Sequence, residues 1–139
     1  AAEIHQRTKP RGPPFDVLDI SGALGYRVVH VDDLGGPRGA VVGRLIFVDA
    51  RLTHQCQQLT IAHEIGHTLL DPIPPSPERT TAIEEACDRL AVSLLMPLAV
   101  VARALIRGAC PLQVLDKFDL SGQPLAAIRV GMVALTIGR

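Results

Sequence analysis

The organising stretch of this chain is Leu59-Thr60-Ile61-Ala62-His63-Glu64-Ile65-Gly66-His67-Thr68-Leu69-Leu70. Leu59, Ala62, His63, Gly66, His67 and Leu70 recur at helical spacing, so two histidines lie along an otherwise apolar face. The helix this predicts stops at Asp71-Pro72, because the run from Asp71 to Pro77 holds four prolines. Residues four apart sit one turn apart on one face, so both imidazoles can reach one metal ion. Glu64, beside the first histidine, can take a proton from a water that such an ion activates. Two inward-facing histidines and a glutamate without partners would cost several kcal/mol, and a Zn²⁺ ion supplies the partner. A solvent-facing helix with coincidental histidines is the competing interpretation, and Leu59, Ala62 and Leu70 argue against it.

A zinc site with an open position needs a third protein ligand. Downstream, Ile83, Ala86, Cys87, Leu90, Ala91, Leu94 and Leu95 form the stripe of an amphipathic core helix. Ser76-Pro77 reads as its N-cap and first-turn proline, and Met96-Pro97 breaks it. Its acids, Glu78, Glu84, Glu85 and Asp88, are the ligand candidates. Glu84 and Asp88 are four apart and flank the stripe. One can bind the metal while the other hydrogen-bonds the remaining ring nitrogen of a liganding histidine. Glu85 points about 100° further round the helix and is the alternative to Glu84. A capping box with Thr81 is the competing use of Glu84, and the earlier start at Ser76-Pro77 weakens it.

Outward from these helices, residues 1–14 read as a flexible arm, made locally basic by Arg7, Lys9 and Arg11 and kept from helix by Pro10, Pro13 and Pro14. Phe15 to Leu24 suits a short helix ending at Gly25. Tyr26 to Val31 is β-branched, and Ala40 to Val48 is β-rich around a turn at Gly43-Arg44. A small antiparallel sheet is expected from these two runs. Beyond the second metal helix, Leu98 to Arg107 is closed by Gly108, and Pro111 to Phe118 and Pro124 to Leu135 form a pair with helix-turn-helix spacing. The fold class is therefore α+β. The organisation is an arm (1–14) and one domain (15–139), with a sheet portion (15–50), zinc-site helices (51–108) and C-terminal helices (109–139).

Composition narrows the function. The chain has 139 residues, 14 Lys and Arg against 14 Asp and Glu, and 47% hydrophobic residues. One domain with a real core follows. Zero net charge argues against finding nucleic acid by bulk electrostatics, and 3% aromatics with no Trp weakens base stacking. Cys56, Cys87 and Cys110 are odd in number and lack CxxC spacing, which fits small buried thiols in a reducing cytoplasm. No apolar run reaches the roughly 18 residues of a membrane span.

His63-Glu64-Ile65-Gly66-His67-Thr68-Leu69-Leu70, followed by Glu84-Glu85-Ala86-Cys87-Asp88-Arg89-Leu90-Ala91 and Leu94-Leu95-Met96-Pro97, resembles the ImmA/IrrE family of gluzincin-like metallopeptidases over roughly residues 15–137. The resemblance implies one Zn²⁺ per chain, held by His63, His67 and Glu84, with Asp88 behind a histidine and Glu64 as catalytic base. It also implies an endopeptidase whose partner is a protein substrate, a helix-turn-helix repressor, and whose cut derepresses phage, mobile-element or stress genes. Neither direct nucleic-acid binding nor a membrane is expected. An oxyanion-stabilising donor is needed as well. His54, Tyr26, His30 and His5 are the candidates, and the sequence places none of them. Two rivals remain, a non-catalytic zinc-binding regulatory protein and a DNA-binding module built on 112–135. Glu64 counts against the first. Arg129, almost the only phosphate-reaching residue on the last helix, counts against the second.

Overall fold

The computed structural model describes residues 2–8, 12–70 and 77–137. Its elements run α1 (Ala2–Thr8), α2 (Val17–Ala23), β1 (Arg27–Val31), β2 (Gly39–Val42), β3 (Leu45–Asp49), α3 (His54–Leu70), α4 (Pro77–Leu95), α5 (Leu98–Ile106), α6 (Pro111–Lys117) and α7 (Pro124–Ile137). The α+β class is as expected. Period-2 patterning in β3 buries Ile46 and Val48 completely, on the face that packs against α3. Asp16 caps α2 by accepting from the Leu18 amide at 2.9 Å. The Val17 amide, another orphan of that helix start, donates to Gln58 on α3 at 3.0 Å. A tight turn at Gly43, where φ is +58°, joins β2 to β3.

The sheet differs from expectation. Its order is β1-β3-β2, with β2 antiparallel to β3 but β1 parallel to it. The hairpin turn claims one side of β3 for β2. Val31 and Gly39 lie at the same end of the sheet, in register with Asp49 and Val48, so the segment between them crosses the end of β3. Strand β2 then runs back, and β3, returning from the hairpin, fills the place between β2 and β1 and points the same way as β1. A mixed sheet results, and β2 is left as an edge strand beside α3.

A second departure is at the N-terminus. Residues 2–8 form helix α1, where a flexible arm was expected. The prolines that argued against helix all follow this segment. Ile4 packs against the core, and the His5 ring donates from Nε2 to the Leu94 carbonyl and stands edge-on to Phe15. The proline-rich turn after α3 and the cap expected at Ser76 lie outside the described residues.

One hydrophobic cluster runs from Val17 on α2 to Val133 on α7. The helices α3 and α4 form its most extensive contact. Of the cysteines, Cys87 is buried as expected. Cys56 is only half-buried and Cys110 is exposed at the start of α6, so the expectation of buried thiols fails for these two. Arg129 is turned inward and donates from Nε to the Met96 carbonyl at 2.8 Å, which ties α7 to the α4–α5 break. Among the described residues no single helix is long and apolar enough to cross a membrane. The bent pair 81–95 and 98–106 passes by composition, but Leu94, Leu95 and Val101 within it are core.

Candidate metal centre

The two histidines project from the middle and end of α3, and their spacing turns both rings to the same side of the helix. Their Nε2 atoms are 3.1 Å apart. Facing them across the helix pair, Glu84 on α4 brings Oε2 to 2.9 Å from His63 Nε2 and Oε1 to 2.9 Å from His67 Nε2. One turn further on, Asp88 Oδ1 accepts from His63 Nδ1 at 2.7 Å. Three donor atoms therefore converge within about the separation that tetrahedral ligands at Zn–N and Zn–O distances of about 2.0–2.2 Å require.

Proton counting explains why this cluster suits a cation. A neutral His63 that donates from Nδ1 to Asp88 presents only a lone pair at Nε2. That lone pair faces a carboxylate oxygen, which has no proton to give it, and the Nε2 of His67. A divalent ion among the three satisfies all of them, and Asp88 meanwhile fixes the ring's tautomer and orientation.

Cys87 Sγ also lies within 4.8 Å of the histidine ligand atoms. The Glu84 oxygens are much closer, and Glu84 lines the open cleft, whereas Cys87 is fully buried against α3. His63, His67 and Glu84 are thus the better-fitting donor set. The Cys87 side chain stands against Gly66. A Cβ at that position would stand 3.1 Å from the Cys87 Cα and Cβ and 3.2 Å from its sulfur. Glycine between the two histidines lets α4 come close enough for Glu84 to reach them.

Glu64 points from the same helix toward β2 and is 9% exposed. Burial raises its carboxyl above the usual carboxylate range, against the pull of His67 and His63 and with a push from Glu84. Gly39 on β2 packs directly over it. A Cβ there would meet Thr60 Cγ2 at 2.7 Å and Glu64 Cγ at 3.2 Å. Gly39 lies one residue before the β-rich run read from Ala40, and it was not among the expected site residues. The signal was a glycine at the start of a β-rich run, which can mark a close backbone approach.

Two hollows meet at His63 and Glu64. One, of about 420 Å³, extends past Arg38, Thr60 and Leu125, and the other, of about 700 Å³, past Tyr26, Val41 and Thr68. Of the four oxyanion candidates, only Tyr26 lines this cleft, with the Arg44 guanidinium 5.4 Å from its ring centroid. His54 sits at the start of α3, 3.6 Å from Asp119, while His30 is exposed on β1 and His5 is bound to Leu94. Glu85, the alternative ligand, lines an apolar groove between α4 and α7 instead of the cleft. The Glu78 side chain lies outside the described residues.

No curated protein matches the chain in sequence. The family model Peptidase M78, described as the IrrE N-terminal-like domain, matches residues 23–123, a span that runs from the end of α2 to just before α7 and includes every residue of the histidine–carboxylate cluster. The chain belongs to this peptidase family.

Proposed function

We propose that the protein is a zinc-dependent endopeptidase that cuts a helix-turn-helix repressor and so relieves repression of phage, mobile-element or stress genes. The observation that carries the hydrolase reading is the convergence of His63, His67 and Glu84 with a buried glutamate beside them. His63, His67 and Glu84 would hold the ion, and Asp88 would keep His63 in register. When bound, the zinc supplies a Lewis acid and lowers the pKa of water toward about 7. Glu64 takes the proton from the attacking water and delivers it to the leaving amine. Tyr26 offers its phenol to the developing oxyanion from across the cleft. The repressor as substrate is supported by the family resemblance of the two helices. An extended segment of it would add to the free edge of β2.

The test incubates zinc-loaded protein with the repressor encoded beside its gene and identifies the products by mass spectrometry. The Glu64→Gln variant should keep its zinc and lose cleavage by roughly 10²–10⁴-fold. Cleavage that persists in this variant sinks the mechanism. Less than about half an equivalent of zinc, with no recovery on adding zinc, sinks the metal site.

A further inference from the structure

We propose that Arg38 selects an acidic residue on the carboxyl side of the scissile bond. This inference rests on the peptidase reading and names part of its substrate specificity. Strand β2 runs along both hollows of the cleft, from Arg38 and Gly39 at the smaller one to Gly43 at the larger. His63 and Glu64 line both, so the reacting carbonyl belongs where they meet. Antiparallel pairing is the slightly more stable kind per residue, and it is the kind β2 already makes with β3. A chain added antiparallel to the free edge of β2 runs opposite to it. Its amino half lies over the larger hollow and its carboxyl half over the smaller one, toward Arg38.

The smaller hollow is walled by Leu59, Thr60, Ala91 and Leu125; of its two carboxylates among the described residues, Asp88 is engaged by His63 and Glu64 is the buried group under Gly39. Among the described residues that line it, Arg38 is the one arginine or lysine. Among the described residues the Arg38 guanidinium has no carboxylate partner, and its side-chain contact is the Cys56 sulfur at 3.8 Å, a weak acceptor. Arg51 shows the contrast, since it is paired with both Asp49 and Asp33. A planar fork of donors held at the mouth of a largely apolar hollow matches a carboxylate, which it can engage in two parallel hydrogen bonds.

The experiment exposes zinc-loaded protein to a proteome-derived peptide library and reads the residues flanking each cut by mass spectrometry. Asp and Glu should be enriched severalfold within three positions on the carboxyl side of the bond. Arg38→Glu should invert that preference toward Lys and Arg, which loss of a merely structural residue would not do. The same library is passed over immobilised Glu64→Gln protein, with and without Arg38→Glu, and the retained peptides are identified. If nothing is cut, the peptidase reading fails, and retention of acidic peptides that the charge reversal abolishes still supports Arg38 as the group that takes the acidic residue; absence of that retention overturns it. Absence of an acidic preference, a preference that survives Arg38→Glu, or one on the amino side of the bond overturns it.

Discussion

Asp88 shows how much of this site depends on a side chain that would not touch the metal. Its carboxylate holds His63 Nδ1 at 2.7 Å, which leaves Nε2 as a lone pair aimed at Glu84 and His67. Removing it frees the ring to rotate and to take the wrong tautomer. Asp88→Ala should weaken zinc binding by about 10–100-fold, measured by competition with a chromophoric chelator, and Asp88→Asn should recover part of it. Asp49 is a different kind of carboxylate. A side-chain hydrogen bond from Arg51, then the Arg51 backbone amide at 2.9 Å, and lastly the cation's charge hold its pKa below the usual value. A folded pKa below the unfolded one means stability that is complete above the unfolded value, near pH 4, and lost as pH falls through the folded value. Zinc-free Asp49→Asn protein should therefore unfold at lower urea concentration than the parent at pH 6. The gap should narrow toward pH 3, and an equal gap at both pH values would rule out the carboxylate's charge as its source.

At the scale of elements, the helices from α2 onward were legible, α1 was not, and the sheet was only half legible. The 3.6-residue period around His63 and His67 and the stripe from Ile83 to Leu95 each bury one face, and burial writes that face into the order of residues. The Gly43-Arg44 turn was equally local, and so the β2–β3 hairpin could be read. Pairing β1 with β3 is not local. Nothing in Arg27 to Val31 records the direction of a partner whose neighbour lies 18 positions away in register, Arg27 to Leu45. That parallel pairing makes β3 central and leaves β2 as the strand with unpaired amides and carbonyls beside Glu64. Adding a repressor that binds but is not cut, with Glu64→Gln protein, should slow amide hydrogen exchange at residues 39–42. The amides of β3 are already inside the sheet and should change little. Unchanged exchange at 39–42 would remove strand addition as the mode of substrate binding.

For the whole molecule, the site joins what the chain order separates. α3 carries the histidines and Glu64, and α4 carries Glu84 and Asp88. Between them lies the proline-rich segment after Leu70. From the sequence, ligands on two helices and the choice of Glu84 over Glu85 could be argued by periodicity. The third wall could not, because Gly39, Arg38 and Tyr26 reach the cleft only through sheet topology, which no helix period encodes. An ion bound by α3 and α4 would therefore clamp the largest contact of the core. In the unfolded chain these residues are spread from His63 to Glu84 and would hold an ion far less well, so binding would add to folding stability. At free zinc of 100 times the dissociation constant the gain is about 2.7 kcal/mol. For a domain of this size that raises the melting temperature by roughly 10 °C. Calorimetry of metal-free protein titrated with zinc should show this rise, and Glu84→Gln should sharply reduce it while Glu85→Gln leaves it intact. Equal responses in the two variants would mean that Glu84 does not hold the ion. The helix clamp would then have to be sought through Cys87, whose sulfur stands behind the same histidines.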